Sequence, residues 1–226
     1  MTLADLPEIQ ITHHARATRL RLRVEPTQIR LTVPKFCSQK QIQAFLSESE
    51  HWMRETWQKQ QNKMGQHQAL VTELKLFNLT QPIQINYVVQ KQTYLWNAEQ
   101  QMLLVSDRQP EQYLKAFVIA YAKQHLPLYL AKVTGETGLH YLQCSIRQPK
   151  TRWGSCSVKH DIMLNSALVL FPLEIARYVC VHELAHTVYF DHSAHFWAKV
   201  AEHDPNFKQH RHTLKNTTLP FWWFSS

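Results

Sequence analysis

An α+β fold is predicted by how the sequence patterns are grouped. Segments of strict apolar–polar alternation cluster in the first half of the 226 residues, and the second half reads strand, loop, strand, helix, short turn, helix. Strands and helices do not alternate strictly, which disfavours a doubly wound parallel sheet. A hydrophobic share of 44% supplies a real core and argues against disorder.

The first element is a hairpin. RLRLRV alternates Leu20, Leu22 and Val24 with Arg19, Arg21 and Arg23, and after EPTQ the run IRLTV alternates through Ile29, Leu31 and Val33. Alternation around a proline-containing break predicts an antiparallel pair whose wet face carries the arginines. Ser38 reads as an N-cap, and Ile42, Phe45, Leu46, Trp52, Met53 and Trp57 fall near helical spacing from Gln39 to Asn62. Alternation resumes in IQINYVVQ, with Ile83, Ile85, Tyr87 and Val89, and continues in YLWN and MLLVS before Asp107. Tyr113, Leu114, Phe117, Ala120 and Tyr121 then open a helix running to Leu130. This change sets a boundary near Ser106 to Pro110. It divides a β-rich part with one helix, residues 1–108, from residues 109–226; a single continuous domain is the alternative, since no Gly/Ser-rich linker, low-complexity tract or repeat intervenes. Beyond it, LHYLQCSIRQ is a strand, PKTRWGSCSVKHD a polar loop and IMLNSALVL a second strand. Pro172 opens the helix that carries VHELAHTVYFDHSAHFW.

Composition narrows the function. No apolar run approaches the roughly 18 residues needed to span a bilayer and the N-terminus is polar, so a soluble, cytoplasmic protein without a membrane partner is expected. Cys37, Cys144, Cys156 and Cys180 lie far apart with no CxxC pair and read as free thiols. With only 4 glycines, phosphate loops of the Walker or dinucleotide type are excluded. Lys+Arg of 25 against Asp+Glu of 17 gives a net charge of +8, which favours an anionic partner without identifying one.

Four histidines, His182, His186, His192 and His195, fall between Val181 and Trp197. On a helix, His182 and His186 lie about 40° apart on one face and can share one ion. Glu183 follows the first histidine, where it can reach a metal-bound water without being a ligand. This is the HExxH arrangement of zinc hydrolases, and Ile175, Val179, Leu184 and Val188 give the helix an apolar side to bury. The third ligand is open. On a continuing helix His192 would point about 240° away from His186, so it ligates only if the helix stops and the chain turns back. Asp191 or Ser193 can cap a new helix containing Phe196, Trp197 and Val200. Glu202, His195 and His203 are the alternatives. The spacing matches that of metzincins, but Tyr189 stands where those enzymes turn on a glycine and no methionine follows Met163, so that class is disfavoured.

TRWGSCS (Thr151 to Ser157), IMLNSALVL, YVCVHELAHTVYFDHSAHFW and the hairpin ending in Val33–Pro34 before a helix with Trp52 fall in one order over nearly the whole chain. In these pieces the sequence resembles the YgjP-like family of HExxH proteins, related to SprT-like and minimal gluzincin-like metallopeptidases. The resemblance implies a zincin-like core, a small antiparallel or mixed sheet beside the HExxH helix. It also implies one Zn2+ held by His182, His186 and His192. Asp191 stands where the family usually has Asn, and the family often has a basic residue or proline near His195, which leaves the role of His195 open.

Three neutral imidazoles leave a fourth zinc position for water, as in a catalytic rather than a structural site. The expected function is metallopeptidase-like hydrolysis with Glu183 as general base. The alternative is a nucleoside triphosphate pyrophosphatase selective for UTP, an activity associated with the family, and a DNA-associated protease of the SprT kind ranks last. The expected partner is accordingly a peptide or nucleotide substrate. Specific nucleic-acid binding is not expected, since no basic tail or zinc ribbon is present. By resemblance and order, the strand Ile162 to Ser166 is the candidate to pair with an extended substrate. Arg152 and Trp153 are candidate substrate-binding residues, against the plainer reading that Trp153 packs and Arg152 braces its loop. Cys156 reads as a buried small residue. The aromatic tail, Phe221 to Phe224, reads as docked on the body, with a cover over the cleft as its alternative.

Overall fold

The computed structural model describes residues 6–25, 27–65 and 70–225, with residues 61–65 described by their backbone alone; Pro26 of the hairpin break lies outside them. The chain forms two compact units, Met1–Leu70 and Val71–Ser226.

In the first unit the alternating runs form strands β2 (Arg21–Val24) and β3 (Ile29–Pro34), paired antiparallel with Leu22 opposite Leu31 and Arg23 opposite Arg30. Ile29, Leu31 and Val33 are fully buried on one face, as period-two patterning requires. A strand that the sequence did not announce, β1 (Ile9–His14), pairs parallel with the other edge of β3. Helix α1 (Gln39–Gly65) begins in a capping box: the Gln41 N–H donates to Ser38 Oγ and the Ser38 N–H donates to Gln41 Oε1 at 2.8 Å. Gln60 donates to the Val24 carbonyl at 2.8 Å, tying α1 to β2.

The second unit contains two sheets. Strands β4 (Glu73–Leu74), β5 (Ile83–Val88), β6 (Tyr94–Asn97) and β7 (Met102–Ser106) form one, in the order β4-β5-β7-β6. Helix α2 (Pro110–Thr137) buries Leu114, Phe117, Val118, Leu126 and Leu130 in the same core as Ile83, Ile85, Leu103 and Val105. The compact units therefore divide at Leu70, and the change of pattern near residue 108 falls inside a shared core. Helix α2 ends at Gly138, whose φ of 67° lets its N–H return to the Thr134 carbonyl at 2.9 Å.

The second sheet is mixed and has the order β8-β10-β9, from β8 (Gln143–Arg147), β9 (Gly154–Cys156) and β10 (Asp161–Asn165). Strand β9 lies within the stretch expected to be loop. IMLNSALVL is likewise not one strand. The Asn165 side chain accepts from the Ala167 N–H at 3.0 Å, which turns Ser166–Leu170 into a 3-10 turn. Helices α3 (Leu173–Ala185), α4 (Ala194–His203) and α5 (Phe207–Asn216) follow. The last of these was missed because FKQHRHTLKN has only two large apolar residues, Phe207 and Leu214, and buries only Leu214. The aromatic tail, Phe221–Phe224, packs on α2 with Trp222 and Trp223 buried, and Lys115 Nζ donates to the Ser225 carbonyl at 3.0 Å. Among the described residues no helix is long and apolar enough to cross a membrane.

Candidate metal centre

Helix α3 carries His182 on its last turn and stops at Ala185, so that His186 caps it in helical geometry with φ of −66°. The chain then turns through Thr187–Val188–Tyr189, whose N–H groups return to the Leu184 and Ala185 carbonyls. It re-enters a helix at α4, where Ser193 is the N-cap and its hydroxyl accepts from the Phe196 N–H. This reversal brings His192, the residue before the cap, back over the end of α3. One ring nitrogen from each of His182, His186 and His192 lies within 4.8 Å of the others. No other group of three or more potential metal ligands occurs among the described residues.

The rings share a floor. Phe196, fully buried on the first turn of α4, lies 5.0, 4.4 and 4.8 Å between centroids from His182, His186 and His192. Trp197 stacks on His192 at 5.7 Å and on Phe207 at 5.3 Å, closing one side.

The donor set suits a borderline-soft divalent ion. His186 Nδ1–H donates to the Tyr189 carbonyl at 3.0 Å, which leaves its Nε2 lone pair free to ligate. Nε2 of His192 and Nε2 of His182 face each other at 3.3 Å. Two nitrogens bound tetrahedrally to zinc at about 2.0–2.1 Å stand about 3.3–3.4 Å apart, so the pair already has the spacing of two ligands. Burial, then the neighbouring His186 and His192 and the charge of Arg211, push the His182 imidazole down to about 3. It is therefore neutral at pH 7, the form that binds metal. Its Nδ1 is buried with no hydrogen-bond partner.

Glu183 is 6% exposed and lies beside strand β9. A Cβ placed on Gly154 would stand 2.5 Å from Glu183 Oε1 and 2.7 Å from its Cδ. The missing side chain at Gly154 is thus the space in which the carboxyl rests. Burial pushes the Glu183 carboxyl up to about 8, and the charge of Arg152 works against this. A cation beside the carboxyl would pull the value down again.

The sequence candidates separate clearly. Arg152 is exposed and close enough for its charge to act on Glu183. Trp153 packs edge-on against Phe171 at 4.8 Å, the plainer of its two readings. His195 stacks on Tyr189 at 6.0 Å, and Glu202 pairs with Lys199 at 2.6 Å; neither is in the ligand group, nor is His203. Cys156 is half-buried, and burial pushes its thiol up to about 11. Sequence reasoning missed Gly154 and Asn165. Asn165 Nδ2 donates to the carbonyls of Pro149 and Arg152, both at 3.0 Å, and its own N–H donates to the Trp153 carbonyl at 2.8 Å. It pins the loop that precedes Gly154. The scarcity of glycine was the signal for Gly154, but nothing local marked Asn165.

The strand expected to receive substrate is corrected. Strand β10 is the central strand, with β8 parallel on one side and β9 antiparallel on the other, so it has no free edge. The strand at the sheet edge beside α3 is β9.

Comparison with known proteins places the chain in a family. The YgjP-like family, described as a metallopeptidase domain, matches residues 18–217. The chain belongs to the YgjP-like metallopeptidase-domain family. Membership supports a metal-dependent hydrolase of metallopeptidase type, and it implies a metal ion for which the three histidines are suited. No curated protein matches significantly. Among solved structures, the YgjP-like chain is similar to the metallopeptidase zymogen abylysin of Pyrococcus abyssi. The two share 26% identity over 40% of this chain and 94% of that one, at a TM-score of 0.36.

Proposed function

We propose that the protein is a zinc-dependent peptidase whose one ion is held by His182, His186 and His192 and whose general base is Glu183. The observation that carries this reading is the convergence of the His182, His186 and His192 imidazoles beside a buried carboxyl, Glu183, which neighbours His182 on α3. When bound, the ion supplies Lewis acidity, which acidifies water and polarises the substrate carbonyl. Glu183 accepts the proton of the attacking water at a carboxylate oxygen and passes it to the leaving amine. Gly154 sets where that oxygen stands. Phe196 and Trp197 hold the histidine rings and exclude water from behind them.

The substrate backbone pairs with the edge of β9, which runs beside Glu183, rather than with β10. Exposed apolar side chains suit a peptide here. Phe190, in the turn between α3 and α4, has its ring 5.8 Å from that of His160, in the turn between β9 and β10, where Val158 is exposed. Arg152, whose charge acts on Glu183, would meet the negative charge that develops on the carbonyl oxygen.

A second reading, hydrolysis of a nucleoside triphosphate, is favoured by the cations that flank the site. Arg152 acts on Glu183. Arg211 likewise acts on His182 and lies 4.9 Å over the Trp197 ring. One experiment separates the readings: zinc-loaded protein and its Glu183→Gln variant are assayed in parallel on a peptide library and on the four nucleoside triphosphates. Both proteins should hold one zinc per chain, and peptide cleavage should fall by about 10²-fold or more in the variant. Loss of triphosphate hydrolysis alone would select the second reading. Full activity of the variant on both substrates would overturn the role of Glu183.

A further inference from the structure

The exposed face of the first unit's sheet carries a row of arginines that form no ion pair among the described residues. Register places Arg23 directly opposite Arg30, with Arg21 two residues along β2 on the same side, opposite Thr32. Gln10 and Thr12 of β1 continue this face beside Arg30 and Thr32. Arg21, Arg23 and Arg30 are all exposed. Like charges placed opposite each other across a ladder destabilise it, so the arrangement costs stability unless an anion lies over it. Among the described residues no acidic group pairs with them. The ion pairs of this unit are Arg54–Glu50, Lys59–Glu55 and His51–Glu55, all on α1, and among the described residues none involves the sheet arginines. From Ile9 to Lys35 the chain carries Arg16, Arg19, Arg21, Arg23, Arg30 and Lys35 against a single acid, Glu25, which accepts from Gln28 at 2.7 Å.

A second observation lies at the end of β3. Phe36, two residues past the strand, is 92% exposed, and Lys35 Nζ sits 5.6 Å from its ring centroid. An aromatic ring so exposed contributes nothing to the core of its unit. Backbone cations beside an exposed, sequence-neutral stacking ring are the two components by which proteins hold unpaired nucleotides.

We propose that this face binds single-stranded nucleic acid without sequence preference, the phosphates lying along Arg21, Arg23 and Arg30 and a base stacking on Phe36. Side chains two apart on a strand stand roughly 6.6–6.8 Å from each other, comparable to the separation of successive phosphates on an extended strand. A duplex satisfies the arginines but leaves Phe36 without an unpaired base. An anionic membrane also satisfies the arginines but offers no base to stack. The face is independent of the metal centre and of the peptidase reading.

The test is fluorescence anisotropy of a labelled oligothymidylate with the full-length protein at several salt concentrations. Arms with the same-length duplex and with phosphatidylserine vesicles accompany it. The wild type should bind the single strand most tightly. Arg21→Thr/Arg23→Thr/Arg30→Thr should weaken binding at least tenfold and flatten the slope of log affinity against log salt by about 2, from about 0.7 per lost phosphate contact on a single strand. Arg21→Lys/Arg23→Lys/Arg30→Lys should keep that slope, which separates loss of charge from loss of fold. Phe36→Ala should cost about fivefold or more with the slope unchanged. Absence of single-strand binding at low salt, an unchanged slope in the threonine variant, or equal affinity for duplex or vesicles with no effect of Phe36→Ala would each overturn the proposal.

Discussion

At the scale of single residues, the contact between Gly154 and Glu183 concentrates the chemistry. Glycine is there for volume and not for backbone freedom, because its φ is not positive. Gly154→Ala should therefore push the carboxyl from its resting place while leaving all three histidines intact. Zinc content is expected to stay at one per chain, and kcat/KM is expected to fall by about 10²-fold or more, measured on whichever substrate the wild type cleaves. An alanine variant with wild-type kinetics would mean that the carboxyl does not act from that position. The pairing of His182 with His186 was legible because it depends only on the 100° advance of a helix, which is local. The contact with Gly154 was not, since it joins residues 29 positions apart by a packing that no periodicity encodes. Arg152 and Trp153 are adjacent in sequence, yet one faces solvent near Glu183 and the other packs on Phe171. Sequence proximity alone could not separate them.

At the scale of elements, the position of His192 depends on where α3 ends and α4 begins. Ser193 was one of two candidate caps, and its hydroxyl accepts from the Phe196 N–H, while Asp191 Oδ1 accepts from the Ser193 N–H at 3.2 Å. Ser193→Ala should cost about 1 kcal/mol of stability. On the proposed ligand set it should also weaken zinc binding several-fold, because His192 is anchored one residue before the cap; competition with a chromophoric chelator measures this. Unchanged zinc affinity would show that the turn holds His192 without the cap. Strands with clean alternation, such as β2, β3 and β5, were readable, and α2 was readable from its length and apolar content. Strand β9 was not, because three residues, Gly-Ser-Cys, carry no measurable alternation. IMLNSALVL looked like a single strand because a side-chain amide, rather than a glycine or proline, ends it at Asn165.

At the scale of the molecule, the second unit is held together across its length by α2. One end of the sequence, the tail, is docked on that helix: Trp222 and Trp223 are buried, and both Glu111 and Lys115 engage Ser225. Removing the residues after Leu219 uncovers apolar surface on α2, and full truncation of a buried tryptophan typically costs about 3–5 kcal/mol. The truncated protein should unfold several degrees or more below the wild type in calorimetry, with its zinc stoichiometry unchanged. A truncation that left the melting temperature intact and raised activity would instead identify the tail as a cover for the site. The docking itself was legible from four consecutive bulky residues. The division at Leu70 was not, because a change from strand to helix pattern marks a change of element, and only shared burial shows where a unit ends.

Asn165 also bears on how the molecule ages. Its amide is the clasp on the loop before Gly154, donating to two carbonyl oxygens at once, and it is buried beside Ser166, so hydrolysis has to await a local opening. Conversion of that amide to a carboxylate would turn two attractions into two repulsions, since a carboxylate has only acceptors to offer. Asn165→Asp reproduces the end point. It should release the loop, lower thermal stability by about 1–3 kcal/mol and impair catalysis without touching a metal ligand. A preparation losing activity on warm storage at constant zinc content, with an acidic residue appearing at 165 in peptide mass analysis, would have aged at its clasp.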